Sequence, residues 1–180
     1  MPSSTVDKIP FVVKAMMRFV PKSVVDIGMG YGKYGLLARE YLELWGEGRN
    51  EEPFDPAKWK IRIVGIDSFA AMNMPHHRAI YNEVCIGDIC ELVMTMGRFD
   101  LALLCDVIEH IEKERALAML AELRSRCTHV IITAPVGYRK QGAVFGNPFE
   151  KHVSAWTAAE FQMMGFDDLA PGAKFIAVAV

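Results

Sequence analysis

The feature that most constrains the fold is a run of glycines directly after a short apolar strand. Val24 and Val25 lead into Asp26. Glycines then follow at Gly28, Gly30, Gly32 and Gly35. The spacing of apolar residues predicts a helix over residues 34–45. A buried strand, a glycine turn and a helix N-terminus together let a ligand approach bare backbone. The segment therefore predicts an α/β fold with a binding site at this turn.

Asp26 separates two classes of ligand for this turn. Gly30, Gly32 and Gly35 also satisfy the spacing of a dinucleotide-binding loop, which alone is a weak signal. In such a loop a pyrophosphate lies against the helix N-terminus, and the carboxylate of Asp26, two residues before Gly28, would repel it. Asp26 favours a ligand with positive charge instead. S-Adenosylmethionine carries both an ammonium and a sulfonium.

The remaining chain alternates predicted helices with short apolar strands. The residues 99–105 form a continuous apolar run, which is typical of a central parallel strand buried on both faces. Further strands are predicted at residues 61–66, 84–86, 129–134 and 174–180, and helices at residues 7–20, 89–96, 113–127 and 157–164. Asp88 is predicted to cap the helix that follows it, and Thr157 to form a capping box with Glu160.

The sequence Asp26-x-Gly28-x-Gly30-x-Gly32 resembles motif I of the class I S-adenosylmethionine-dependent methyltransferases. The resemblance extends over nearly the whole chain. It implies a three-layer, Rossmann-like α/β sheet of seven strands in the order 3-2-1-4-5-7-6. The strands are expected to be mostly parallel, with the last strand antiparallel, and the turn at Pro171-Gly172 agrees with that reversal.

The same resemblance assigns residues to S-adenosylmethionine. The acid at Asp67 would accept hydrogen bonds from the ribose hydroxyls, because a carboxylate can pair with a vicinal diol. Ser68 would border the adenine, Asp88 would accept from its amino group, and the amide of Ile89 would meet the ring. The full set of implied cofactor residues is Asp26, Gly28, Gly30, Gly32, Asp67, Ser68, Asp88, Ile89 and Asp106.

A narrower resemblance lies after the fourth strand. The acid-x-x-Glu-His sequence from Asp106 to His110 is similar to that of the ubiquinone-pathway O-methyltransferases and the small-RNA terminal 2′-O-methyltransferases. It implies a divalent metal at Asp106, Glu109, His110 and His152, although Asp106 is one methylene shorter than the acid of that pattern. The alternative is metal-free chemistry, with His110 or His152 as the general base and Asp106 as a cap. For both the metal-dependent and the metal-free alternative, the residues assigned to catalysis are His110, His152 and Asp106.

These observations predict an enzyme that transfers a methyl group from S-adenosylmethionine to the hydroxyl oxygen of a small molecule. One alternative is metal-assisted 2′-O-methylation of an RNA terminus, to which Arg139 and Lys140 in the loop 136–153 would contribute. The formal net charge of −2 gives no support to broad nucleic-acid binding. Two further alternatives are a nicotinamide-dependent enzyme, against which Asp26 argues, and a nucleotide-binding module without catalysis.

The length of 180 residues predicts a single domain over residues 1–180, which the resemblance implies is a methyltransferase domain. Residues 1–21 would provide an N-terminal helix that covers the sheet and acts as a lid over the ligand. No apolar run approaches the ~20 residues needed to cross a bilayer. We expect a cytoplasmic protein, because no secretory signal is recognisable and four cysteines lack Cys-x-x-Cys spacing. Adjacent His76 and His77 are interpreted as solvated, and the oligomeric state stays open.

Overall fold

The structure is a computed structural model that describes residues 4–45, 50–53 and 55–180. The polar segment at residues 46–58, interpreted from the sequence as a surface loop, lies partly outside the described residues, at 46–49 and 54. The strands are β1 Ser23–Ile27, β2 Arg62–Asp67, β3 Glu83–Ile86, β4 Phe99–Cys105, β5 Cys127–Pro135, β6 Asp167–Asp168 and β7 Phe175–Ala179. The α-helices are α1 Ile9–Phe19, α2 Lys33–Glu43, α3 Ile89–Thr95, α4 Lys113–Arg126 and α5 Ala158–Met163.

The seven strands form one sheet in the order β3-β2-β1-β4-β5-β7-β6. Strands β1 to β5 are parallel, and β7 runs antiparallel to both β5 and β6. This confirms the strand order and directions expected from the sequence. Because the carboxyl ends of the five parallel strands share one edge, the chain segments that follow them are brought together there.

Helices cover both faces of the sheet, which makes the three layers. The alternation along β4 shows the division: Leu101 and Leu103 belong to the core under α1 and α2, whereas Ala102 and Leu104 belong to the core under α3, α4 and α5. Both sets of side chains are fully buried. The continuous apolar run predicted as a central strand is therefore explained by two cores of similar depth.

The N-terminal helix covers the sheet as expected. It begins two residues later than predicted, because residues Val6–Lys8 form a short 3-10 turn before α1. Its buried face carries Val12, Ala15 and Met16. It ends where Val20 takes a left-handed conformation and its amide donates to the Met16 carbonyl, before Pro21. The lid function of this segment stays a prediction.

The interpretation of both adjacent histidines as solvated was wrong for His77. His76 is exposed, but His77 is only 1% exposed. The short 3-10 turn Pro75–Ala79 presses the His77 ring against the glycine turn, and its Nδ1 accepts a long hydrogen bond from the Met74 amide at 3.4 Å. Among the described residues, no helix is long and apolar enough to span a membrane.

Gly35 provides a test of the packing between α2 and the segment before β3. A methyl group at this position would lie 2.4 Å from the ring of Tyr81. Gly35→Ala should therefore destabilise the fold by roughly 1–3 kcal/mol, despite alanine's better helix propensity. Urea unfolding measures this, with Gly97→Ala as the control, because nothing lies within 4 Å of that position. Equal stability of the two variants would contradict this close packing of Gly35 against Tyr81.

Candidate active site

A cavity of about 720 Å³ opens at the carboxyl edge of the parallel strands. Its walls come from the glycine turn, the ends of β2 and β4, the start of α3, the loop after β5 and the N-terminal residues. Most residues predicted for the site line it: Gly28, Gly30, Asp67, Ser68, Asp88, Ile89, Asp106, Glu109, His110 and His152. Asp26 and Gly32 do not belong to the described cavity wall.

The glycine turn needs its glycines for two physical reasons. Gly28 has a φ of 69°, and a Cβ there would lie 2.3 Å from a methyl group of Val107. Gly30 has a φ of 51° and faces open space on the cavity side. The amides of Gly28 and Met29 both donate to the Ile66 carbonyl, at 2.8 and 3.0 Å. The turn is thereby fixed to the end of β2.

Asp26 lies behind this turn and holds it in place. It is 2% exposed, and its Oδ2 accepts from the Gly35 amide at 2.9 Å and from the Tyr81 hydroxyl at 2.6 Å. Burial raises its pKa to about 6, against the lowering effect of these two hydrogen bonds. Gly32 also supports the turn from behind, packed beside Ile80 and His77. Direct contact of Asp26 with the cofactor's ammonium stays a prediction.

Asp67 lines the cavity next to the turn. Its Oδ2 accepts from the Gly30 amide at 2.9 Å, and its Oδ1 accepts from the Phe69 amide at 2.8 Å. Burial is the largest cause of its raised pKa. Because a carboxylate offers about four acceptor positions, each oxygen keeps one for another donor. This geometry suits a pair of neighbouring hydroxyl groups.

The start of α3 forms the end of the cavity beyond Asp67. Asp88 caps α3 as predicted, with Oδ1 accepting from the Cys90 and Glu91 amides. Both of its oxygens also accept from Arg115 Nη2, at 2.9 and 2.8 Å, a partner that no pattern in the sequence predicts. The Ile89 amide donates to Ser68 Oγ at 3.3 Å. Ser68, Asp88 and Ile89 therefore lie together, as their common assignment requires.

Asp106 follows β4 and stands between the two ends of the cavity. It has a left-handed backbone with φ 57°, and its amide donates to the Thr133 carbonyl on β5 at 2.8 Å. A non-glycine residue in this conformation is uncommon and often marks a functional site. Its Oδ1 accepts from Lys8 Nζ.

Glu109, His110 and His152 come together at the opposite end. Each offers one ligand atom, and these atoms lie within 4.8 Å of one another. His110 Nδ1 lies 3.2 Å from the Lys151 carbonyl, and His152 Nδ1 lies 2.6 Å from the Arg139 carbonyl. Since a carbonyl only accepts, both Nδ1 atoms carry a proton, and in a neutral imidazole of this tautomer Nε2 has the lone pair that can bind a ligand or a proton.

The loop after β5 delivers His152 to this place through backbone contacts. The Glu109 carbonyl accepts from the amides of Val153 and Ser154, at 2.9 and 3.1 Å. Ser154 Oγ donates to the Ile108 carbonyl at 3.1 Å. These bonds join residues more than 40 positions apart, so helical spacing in the sequence could not have predicted them.

The group fits a divalent cation by its chemistry. Glu109 is 3% exposed, and its Oε2 lacks a hydrogen-bond partner among the described residues. Burial, followed by the charge of Asp106, raises its pKa to about 8. Three atoms no farther than 4.8 Å apart share a point within about 2.8 Å of each, so small shifts would reach the ~2.0–2.2 Å of metal bonds. Asp106 does not belong to this group, because its carboxylate pairs with Lys8.

Lys8 is the main site residue that the sequence analysis missed. It is 5% exposed and lines the cavity. A signal was present: Lys8 lies four and eight residues before Val12 and Met16, so it continues the buried stripe of the N-terminal helix. A lysine on such a stripe indicates a cation that faces the protein interior.

The comparisons with known proteins support the fold. No protein-family model matches the chain, and no curated protein sequence matches it. Solved structures do. A protein from Nostoc punctiforme described as an O-methyltransferase has a TM-score of 0.63 and 14% identity, over 96% of this chain and 55% of its own. DhpI in complex with SAH, also at a TM-score of 0.63 and 14% identity, covers 96% and 83%. The methyltransferase domain of bacterial CtHen1 has a TM-score of 0.60 and 18% identity, over 97% and 98%.

This chain spans 55% of the length of the Nostoc protein but nearly all of the CtHen1 domain. At these identities the similarity establishes the fold. The resemblance to class I methyltransferases is confirmed at that level.

The position of Asp26 generates a prediction about stability and pH. Its pKa rises from 3.8 to about 6 on folding, so wild-type protein should lose stability as the pH rises from about 4 through about 6. Asp26→Asn cannot ionise. The stability of the Asn variant relative to wild type should therefore improve across this interval by on the order of 3 kcal/mol, at about 1.4 kcal/mol per pKa unit.

Urea unfolding of both proteins at pH 3.5, 4.5, 5.5, 6.5 and 7.5 measures the difference. Asp26→Ala serves as the comparison, because it leaves the Gly35 amide and the Tyr81 hydroxyl without an acceptor. It should lose about 1–3 kcal/mol relative to Asp26→Asn. Parallel pH curves for wild type and Asp26→Asn would contradict the buried, raised carboxyl.

Proposed function

We propose that the protein transfers a methyl group from S-adenosylmethionine to the hydroxyl oxygen of a small molecule. The observation that carries the proposal is the order of polar residues along one sheet edge. Asp88 follows β3, Asp67 ends β2, the glycine turn follows β1 and Asp106 follows β4. His152 lies in the loop after β5, beside His110. The residues assigned to the cofactor, from Asp88 to the glycine turn, and the two histidines assigned to the acceptor thus line one cavity.

Three groups would hold the cofactor. The unused acceptor positions of Asp67 would take the two ribose hydroxyls, and Ser68, Asp88 and Ile89 would surround the adenine. The glycine turn admits the remainder of the molecule, because Gly30 leaves the cavity side open. The neighbours solved with SAH or with SAM lend support, since they have this fold.

The reaction is a displacement at the methyl carbon. The acceptor oxygen forms a bond to that carbon, the carbon–sulfur bond breaks, and its electron pair leaves the sulfur as a neutral thioether. The acceptor's proton must go to a base, and proton transfer of this kind typically contributes 10²–10⁴-fold. His110 and His152 each direct Nδ1 to a backbone carbonyl, so Nε2 is the atom of either imidazole that would accept this proton. Burial lowers the pKa of His110, which keeps its imidazole neutral at pH 7.

A small hydroxylated acceptor fits the outer part of the cavity. Phe145 and Phe149 line it and are strongly exposed, Phe145 at 68%. Such rings offer a surface on which an apolar or aromatic acceptor can pack. The acceptor would lie between these rings and the two histidines.

The second candidate is metal-assisted 2′-O-methylation of an RNA terminus. Two observations favour it: Glu109, His110 and His152 converge, and the CtHen1 methyltransferase domain matches this chain over nearly its whole length. Glu109 Oε2 and the two Nε2 atoms would hold the metal. A bound divalent ion would lower the pKa of the acceptor hydroxyl.

A third candidate, a nucleotide-binding module without catalysis, leaves the convergence of Glu109, His110 and His152 unexplained. A nicotinamide-dependent enzyme would place a pyrophosphate at the turn that Asp26 supports from behind. A nicotinamide-dependent enzyme would bind NAD, whereas both methyltransferase candidates would bind S-adenosylmethionine, so ligand binding distinguishes them.

We expect S-adenosylmethionine and S-adenosylhomocysteine to bind with Kd values on the order of 1–10 µM, and NAD not to bind. Calorimetry measures all three. Ser68→Trp, which would fill the adenine end of the cavity, should abolish the binding of both adenosyl ligands. Binding of NAD in place of these ligands would overturn the proposal. Transfer of a labelled methyl group to a panel of phenols and to an RNA 3′ end then separates the first two candidates.

The metal alternative has its own test. If Glu109, His110 and His152 bind a divalent cation, calorimetry with Mn²⁺ or Zn²⁺ should show one binding site in wild type. Glu109→Gln and His152→Ala should each weaken it at least tenfold, since each removes one of three ligands. Glu114→Gln is the matched control, because Glu114 is an exposed acid nearby on α4. Metal binding that is equally strong in all four proteins would exclude this group as the site.

A further inference from the structure

Lys8 is a cation inside the cavity that has no role in the cofactor and metal assignments. It is almost completely buried and lines the cavity wall with Asp106, Glu109 and His110. Burying an ammonium is costly unless hydrogen-bond acceptors compensate for the lost water. The acceptors of Lys8 therefore decide what the residue is for.

Asp106 Oδ1 supplies one acceptor for this ammonium. In the part of the chain that the structure describes, no second carbonyl or side-chain oxygen accepts from Lys8 Nζ. An ammonium has three N–H donors. Two of them stay available to a molecule bound in the cavity.

The packing of the N-terminal segment fixes the position of Lys8. The ring of Phe11 lies edge-on to that of Phe175, with centroids 5.6 Å apart, and Lys8 Nζ lies 5.9 Å from the centroid of the same Phe175 ring. On the other side, Lys33 Nζ donates to the Ser4 carbonyl at 2.6 Å. The lysine is thus held over the cavity by contacts on both sides of it in the chain.

Lys8 is within electrostatic reach of the acceptor end. Burial and the charge of Asp106 raise the pKa of Glu109, and the ammonium of Lys8 opposes both. Lys33 is the other cation close to this position, and its pKa is lowered mainly by burial. The charged and titratable groups around Lys8 are therefore Asp106, Lys33, Cys105 and Glu109, with His110 and His152 beyond them.

We propose that Lys8 is a catalytic residue of the methyl transfer, whose ammonium binds the acceptor oxygen and stabilises the negative charge that develops there. This inference rests on the proposed function. The acceptor hydroxyl gives its proton to the Nε2 of His110 or His152, and the oxygen attacks the methyl carbon. The sulfur takes the electron pair of the broken bond, so the products are a methyl ether, a neutral thioether and a protonated imidazole, which releases its proton to water.

The acceptor class that matches this arrangement is a hydroxyl group on an aromatic ring. A fixed ammonium favours the ionised form of such a group, which forms far more readily than an alkoxide. Phe145 and Phe149 at the rim provide a surface for the ring. A preorganised donor aimed at a developing oxyanion typically contributes about 10²–10³-fold in rate.

The competing explanation is that Lys8 only neutralises Asp106. In that case its positive charge would matter to the stability of the cavity but not to the ionisation of a bound acceptor. A coloured phenol distinguishes the two explanations whatever the natural acceptor is, because its neutral and ionised forms absorb at different wavelengths.

The experiment uses the full chain saturated with S-adenosylhomocysteine and titrated with 4-nitrophenol and 4-nitrocatechol between pH 6 and pH 9. We expect the bound phenol to be ionised at a lower pH than the free phenol in wild type and in Lys8→Arg. Lys8→Met should bind the ionised form roughly 10- to 100-fold more weakly, which is the typical effect of losing a charged hydrogen bond. Lys14→Met is the matched control, since Lys14 is an exposed lysine on α1, the helix that begins directly after Lys8.

Each outcome decides a different point. Equal ionisation of the phenol on wild type and Lys8→Met would overturn the proposal, as would an equal effect of Lys14→Met. Failure of both phenols to bind a complex that does hold S-adenosylhomocysteine would also overturn it. Failure of S-adenosylhomocysteine to bind wild type would instead overturn the proposed function. If Lys8→Met does not fold, Lys8→Gln, which keeps a donor for Asp106 without the charge, takes its place in the same comparison.

Discussion

The buried carboxylate of Asp26 is the interaction on which the glycine turn depends. It joins the end of β1 to the first turn of α2 through the Gly35 amide, and to the segment before β3 through the Tyr81 hydroxyl. All three groups are shielded from water, so each can find its hydrogen bond only within this cluster. An unsatisfied buried donor costs about 1–3 kcal/mol, which is a large share of a small domain's stability. The cavity above the turn therefore depends on a residue that does not line it.

The elements that could be predicted from the sequence depend on local physics. The apolar run of β4 is decided by its own composition, and the strand order followed from a resemblance that the glycine turn made visible. Helix caps are equally local. Asp88 accepts from amides two and three residues ahead, and Thr157 forms the predicted capping box with Glu160. Neighbours in sequence create these contacts, so the pattern of residue types is sufficient to find them.

The parts that could not be predicted depend on contacts between distant residues. Lys8 meets Asp106 across 98 positions, and Tyr81 meets Asp26 across 55. His77 is buried because a 3-10 turn presses it against the glycine turn, whereas its neighbour His76 remains exposed. The helical spacing of residue types could predict neither the burial of His77 nor the exposure of His76. For the same reason the resemblance groups Asp106 with Glu109 and His110, whereas in the structure the Asp106 carboxylate pairs with Lys8.

The carboxyl edge of a parallel sheet is open to ligands, because every strand ends there and the following segments turn away from it. This protein covers that edge with two segments that are remote in sequence. The loop after β5 is fixed to residues 108 and 109 through the amides of Val153 and Ser154 and the hydroxyl of Ser154. The N-terminal residues close the other side through Lys8 and through the bond from Lys33 to the Ser4 carbonyl. Both segments meet the cavity at Asp106 and its neighbours. Asp106 therefore contacts the N-terminal segment through Lys8 and β5 through the Thr133 carbonyl, so one residue after β4 joins elements from both ends of the chain.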